Sequence, residues 1–257
     1  VVQRFFLALA LTGFLSTAKT SSGSTETEAT APPVSPIAKE SRQLIVVRTK
    51  AWRTSTGTLE RYERDENVPW HRVGEAAPVN VGRNGMGWGR GLHPADQVGP
   101  VKHEGDGRAP AGVFQLALAF GAAEGLPPEA KGFPYLHTQS TTFCVEDTRS
   151  KYYNQIIDAN EVKTTSWERW SEMLRADGLF RWGVVVRQNG PDTKNGAGSC
   201  VFLHIWRGFR QPTAGCTAMS VDQIQETVRW LDPAAQPLLV QLPDPEYERR
   251  RDAWGLP

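Results

Sequence analysis

Apolar and polar positions alternate or cluster in short stretches along most of the chain, a strand-like pattern. QLIVVRTKAW (Gln43 to Trp52) is rich in β-branched residues and predicts a strand, and GTLERYERDE after it continues as a hairpin partner. AGVFQLALAFG (Ala111 to Gly121) predicts another. WGVVVRQN (Trp182 to Asn189) and SCVFLHIWRG (Ser199 to Gly208) predict two buried strands, and QPLLVQLP (Gln236 to Pro243) a closing one. Between these, PWHRVGEAAPVNVGRNGMGWGRGLH breaks into short pieces at Gly and Pro.

Helical periodicity is rarer. Trp167, Trp170 and Leu174 recur at three- and four-residue spacing and predict a helix over Thr165 to Gly178, ended by the glycine. MSVDQIQETVRWLDP predicts a second. Ser220 caps it with Gln223 as the capping-box partner, Met219 and Ile224 form a hydrophobic staple, and Pro233 stops it. Val221, Ile224, Val228 and Leu231 then share one face. The sum is a mainly β domain with a few helices over residues 43–245, with EYERRRDAWGLP (246–257) as a loose tail.

The start of the chain follows a different pattern. VVQRFFLALALTGFLSTAKT has a basic residue, an apolar run from Phe5 to Leu15 and small residues at Ser16 and Ala18, the layout of a secretory signal peptide over 1–18. The run is shorter than the roughly 20 apolar residues a bilayer requires, so no stable membrane span is expected. No cysteine follows it to carry a lipid. Residues 19–42, rich in Ser, Thr, Pro and Ala, cannot bury enough apolar surface to offset ordering and are expected to form a flexible tether. An exported protein of the cell envelope is the expectation.

Length and charge narrow the function classes. The 257 residues suffice for one sizeable core. With 29 basic against 28 acidic side chains, nothing points to nucleic acid as a partner. KHEGDGRAPAG has no GK[ST] after its glycines, which excludes a phosphate loop, and GRNGMGWGRG lacks the dinucleotide-binding spacing. Both are turns, with His103 and Asp106 as possible supporting positions at a cleft edge. No cofactor is called for. The histidines are scattered, and His204 and Cys216 are not a close-spaced ligand pair, so no metal site is expected.

The candidate chemistry lies in HIWRGFRQPTAGCTAMS (204–220). Alternation places Phe202, His204 and Trp206 on one strand face and Val201, Leu203 and Ile205 on the other. Cys216 follows Gly215 in a loop of small residues just before the capped helix. A strand-held imidazole that removes the thiol proton, with the Gly215 and Cys216 amides converging on an oxyanion, would make an acyl-transfer site. In that reading a neighbouring imidazolium lowers the thiol pKa. The residues alone equally allow a polar strand histidine and a buried cysteine. Cys144 and Cys200 are either a disulfide of an exported protein or two small buried side chains.

FLHIWRGFRQPTAGCT resembles the active-site signature of the YkuD-type L,D-transpeptidases: a strand histidine, then a loop, then Ser or Thr, any residue, Gly and the nucleophilic Cys. EGDGRAPAGVF (Glu104 to Phe114) resembles the family's Thr-Pro-x-Gly-x-Phe segment, and GMGWGRG, CVEDTRSKYYNQIID and GSCVFLHIW resemble blocks of one branch, so the likeness covers about 43–243. It implies a YkuD-like β-sandwich catalytic domain. It also implies acyl transfer on peptidoglycan stem peptides through a thioester on Cys216, sensitivity to carbapenem-type inhibitors, and no cofactor or metal. His204 would be base and acid, Gly215 would serve the oxyanion hole and Thr213 would orient the site. Trp206, Arg207 and Thr217 would contact substrate. Departures are the loop of only 11 residues between His204 and Cys216, Thr217 where Arg is common, and Ala109 in place of Thr. The thioester can pass to an amine, giving a 3→3 cross-link, or to water, as in a carboxypeptidase or an amidase that frees wall-bound protein. A non-catalytic wall-binding domain has no need of the His, Gly and Cys set.

Overall fold

The apolar run LIVV lies at the centre of the molecule. In the computed structural model, which describes residues 35–257 except 67, 96, 164 and 165, β1 (Gln43–Thr49) is buried on both faces. It pairs antiparallel with β2 (Thr56–Glu63) and parallel with β13 (Leu238–Pro243). A strand with sheet neighbours on both sides and both faces covered must be apolar throughout, which is why its pattern is a run and not an alternation.

From β13 the sheet continues antiparallel to β5 (Ala109–Gly121), then β10 (Trp182–Val186) and β11 (Phe202–Ile205). β11 pairs parallel with β12 (Thr217–Met219), which meets β3 (His71–Asn80), and β3 returns to β2. The pairing of β10 with β5 therefore closes the ten-stranded sheet into a ring, with β4 (Met86–Trp88) and β6 (Tyr135–His137) attached along β5. The circuit is complete but uneven, since β12 and β3 meet at a single pair, Ala218 opposite Asn80. A separate three-stranded sheet, β8 (Ile156–Asp158), β7 (Thr142–Val145) and β9 (Trp170–Glu172), stands beside it. Among the described residues the domain is mainly β, with two α-helices and one 3-10 turn.

α1 (Val221–Trp230) starts where the sequence places it, with Ser220 Oγ accepting the Gln223 N–H at 3.3 Å. Only that half of the capping box forms, since Gln223 Oε1 is buried without a partner. Ile224, Val228 and Leu231 are fully buried, whereas Val221 in the first turn is exposed.

Four expectations are corrected. Residues 165–178 form no helix among the described positions. Trp170–Glu172 is strand β9, paired with β7, and Met173 points into the core while Trp170 and Leu174 are exposed. The tail 246–257 is not loose. It is α2 (Asp244–Trp254) and its cap, with Tyr247, Trp254 and Leu256 buried, and the Arg48 guanidinium over the Tyr247 ring at 4.1 Å. Of the expected tether, residues 35–42 pack: Ile37 joins the core and Ser35 Oγ donates to the Trp254 carbonyl at 2.8 Å. The expected signal peptide and the rest of the tether lie outside the described residues. His71–Asn80 is one strand and not several pieces, because Gly74 at φ +70° accommodates a bulge opposite β2.

One glycine of the Ala109–Phe114 block has a steric reason. Gly112 has φ +136°, and a Cβ there would stand 1.9 Å from the His93 ring. The His93 imidazole lies flat on the backbone of β5, its Nδ1 accepting the Val113 N–H at 3.1 Å. No side chain can replace that glycine while His93 is buried there.

Among the described residues no helix is long and apolar enough to cross a membrane.

Candidate active site

The parallel pair β11 and β12 sets the geometry. Leu203 is opposite Thr217 and His204 opposite Ala218, so Cys216, just before β12, falls beside Phe202. The Phe202 N–H reaches Cys216 Sγ at 3.4 Å, and the thiol in turn meets the Cys200 carbonyl oxygen at 3.5 Å. Phe202 and His204 share a face, as alternation requires. Cys216 and His204 therefore line one cleft of about 470 Å³, offset by one pleat, roughly 7 Å along the strand. No hydrogen bond joins them.

His204 is buried and edge-on to the Phe180 ring, with centroids 5.1 Å apart. Its Nδ1 lies 2.7 Å from the carbonyl oxygen of Ile205. A carbonyl only accepts, so that contact assigns the proton to Nδ1 and leaves the Nε2 lone pair free. A base whose tautomer is fixed by a third group is one of the two conditions for nucleophilic catalysis; the other, hydrogen-bond reach to the thiol, requires the two side chains to approach.

Burial sets the resting protonation. It pushes the Cys216 thiol up to about 11, against the opposing Phe202 N–H, and pulls His204 down to about 4, against its bond to Ile205. The resting pair is thiol and neutral imidazole. The expected thiolate–imidazolium pair, with its lowered thiol pKa, is opposed by this burial. Burial without a direct contact between the two groups is the reason.

Thr213 braces the loop that carries Cys216. Its hydroxyl donates to the Cys216 carbonyl at 2.6 Å and accepts the Gly215 N–H at 3.1 Å. Its own backbone is tied at both ends, N–H to Val81 and carbonyl to the Arg83 N–H. The Gly215 amide is thus already engaged and not aimed at an oxyanion; the amide expected to form the hole with that of Cys216 braces the loop instead.

The other expected positions divide. Trp206 is half-buried on the cleft and held by its N–H to the Met219 carbonyl at 2.8 Å. Arg207 is exposed at the rim, 3.9 Å from Asp177. Thr217 does not reach the cleft. Its side chain turns into the core and donates to Gln241 Oε1 at 2.5 Å, while Gln241 Nε2 donates to the Pro110 carbonyl. The residue after the nucleophile begins β12, so its side chain takes the opposite face from that of Cys216. Asp106 accepts from Lys102 and from the backbone of His103 and Arg108, and His103 itself is exposed.

The cleft also has walls that sequence reasoning did not single out. The small sheet supplies Glu146 and Arg169, the segment after it Arg175 and Phe180, and the Lys102–Gly105 turn Lys102 and Glu104. Arg175 holds the Asp177 carboxyl down to about 2. Glu104 accepts from Tyr153 Oη and Ser199 Oγ, both at 2.6 Å, which ties that turn to the segment before β11. Cys144 on β7 and Cys200 are joined as a disulfide, so Cys216 is the one free thiol of the three.

Comparison with known proteins leaves the geometry to stand alone: no protein-family model matches the chain, and no curated protein matches it.

Proposed function

We propose that the protein is a cysteine-dependent L,D-transpeptidase acting on peptidoglycan stem peptides. One observation carries the reading: the chain's free thiol, Cys216, and an imidazole held by Nδ1 to Ile205, His204, open into one cleft. The resemblance of the stretch around them to the YkuD signature supplies the substrate class.

The chemistry follows from the resting state. A neutral imidazole accepts a proton, and a neutral thiol must lose one as it attacks. Cys216 Sγ adds to the carbonyl of the diaminopimelate residue of a tetrapeptide stem while His204 Nε2 takes the thiol proton. The tetrahedral intermediate collapses as His204 returns that proton to the leaving nitrogen. D-alanine departs and a thioester remains. The amine of a second stem then attacks, its proton passes to His204, and the thiolate leaves to be reprotonated. The product is a 3→3 cross-link. Arg83, Arg169 and Arg207, exposed at the rim, suit a substrate bearing carboxylates. Export to the periplasm or cell envelope, expected from residues 1–18, is consistent with such a substrate.

The test is incubation with purified tetrapeptide muropeptides, products followed by mass spectrometry. Cross-linked dimers are expected. Tripeptides alone would move the assignment to an L,D-carboxypeptidase, and unchanged substrate, or equal turnover by Cys216→Ala, would refute the enzyme reading.

A further inference from the structure

With the Gly215 N–H bound to Thr213 Oγ1, the Cys216 N–H is the one amide of the two that finds no acceptor among the described residues. A tetrahedral oxyanion is best held by more than one donor. A second donor is present in Lys102. This side chain is 5% exposed, yet it reaches the cleft. Its stem packs against Gly198, where a Cβ would come 3.1 Å from Lys102 Cε, and its ammonium stands 3.8 Å from where a Gly215 Cβ would be. Lys102 therefore runs between the two segments that flank the nucleophile. Nζ donates to Asp106 Oδ1 and to the His103 carbonyl, each at 2.7 Å. An ammonium has three donors, so one remains.

The buried charge has no structural necessity. Asp106 already accepts the backbone N–H groups of His103 and Arg108, at 2.7 and 2.9 Å. A buried ion pair is seldom better for stability than an apolar pair of the same size. Fixing a cation beside the nucleophile's loop does have a use where negative charge develops.

We infer that Lys102 is a catalytic residue, its third N–H and the Cys216 amide together forming the oxyanion hole. The inference rests on the acyl-transfer reading. The turn Lys102–Asp106 is then the frame that aims the ammonium, and Asp106 is a positioning residue.

The test separates carbonyl addition from simple thiol reactivity. Wild type and Lys102→Met are compared for acylation of Cys216 by a carbapenem, which forms an oxyanion, and for alkylation by iodoacetamide, which forms none. The expected result is acylation slower by about 10²–10³-fold with alkylation within about threefold of wild type. Equal acylation by both proteins, or equal loss of both reactions, overturns the inference. Lys102→Gln retains an N–H for Asp106 and gives the same comparison should the Met variant not fold. Wild type that iodoacetamide labels at Cys216 but no carbapenem acylates would instead sink the acyl-transfer reading on which the inference depends.

Discussion

Cys216 Sγ meets the carbonyl oxygen of Cys200 at 3.5 Å, and Cys200 is itself bonded to Cys144 of the small sheet. Cys200 sits at φ +53°, held there by its N–H to Asn154 Oδ1 at 3.0 Å. The acceptor for the Cys216 thiol is thus placed by a crosslink and an amide side chain.

Removing that crosslink is expected to act on stability and on the nucleophile together. A sequence separation of 56 residues corresponds to about 4 kcal/mol in the chain-entropy treatment. Cys144→Ser/Cys200→Ser should lower the urea midpoint accordingly and slow acylation of Cys216. An unchanged midpoint would show that the small sheet holds its place without the bond.

The elevated thiol pKa has a kinetic signature. Iodoacetamide labelling of Cys216 should climb about tenfold per pH unit through neutrality and past pH 9, toward the value of about 11 set by burial. Labelling that levels off near pH 6 would reveal a resting thiolate and contradict the neutral pair.

Thr213, expected to orient the site, and Thr217, expected to contact substrate, should separate cleanly. Thr213→Val strands the Gly215 N–H and lowers kcat at least tenfold, while Thr213→Ser restores it. Thr217→Val leaves Gln241 Oε1 buried and unpaired, at a cost of about 1–3 kcal/mol, with KM unchanged. A KM shift in Thr217→Val after correction for folded fraction would return that residue to the substrate surface.

His93 gives a pH dependence of folding. It is packed among Trp88, Phe114 and Trp254, and its Nδ1 already accepts the Val113 N–H. Burial draws its pKa down to about 4, and the Arg250 charge acts in the same direction. Below pH 6.5 the unfolded chain takes up a proton that the native imidazole refuses, so stability falls as pH drops from 6.5 toward 4, by about 3 kcal/mol at most. His204, drawn down likewise, adds to the slope. Denaturation at pH 7 and 4.5 should show a smaller loss in His93→Gln than in wild type. Parallel losses would dismiss His93 as the cause.

Much of this was legible in the chain because much of it is local. LIVV, VFLHIW and PLLVQLP declare themselves through β-branched content, and Ser220 through its cap. The 165–178 segment misled because three large side chains at helical spacing also satisfy a short strand with Met173 inward, and pairing with β7 decides between them. α2 escaped notice because its charged surface dominates, and its few buried residues count only once β1 and the segment 35–42 lie beneath it. His204 and Cys216 were readable from adjacent stretches. Lys102, Glu146 and Arg175 were not, because turns distant in sequence assemble the cleft around a thiol that no local pattern connects to them.

The closed ring divides the molecule's tolerance for change. His204 lies on β11 and Cys216 immediately precedes its parallel neighbour β12, so their spacing is set by the register of that pair within the circuit. Much of the cleft wall comes from outside the circuit: residues at the ends of the small sheet's strands, the Lys102–Gly105 turn and Gln211–Ala214. A lineage can therefore retailor what enters the cleft by trading loops while His204 and Cys216 stay where the circuit puts them.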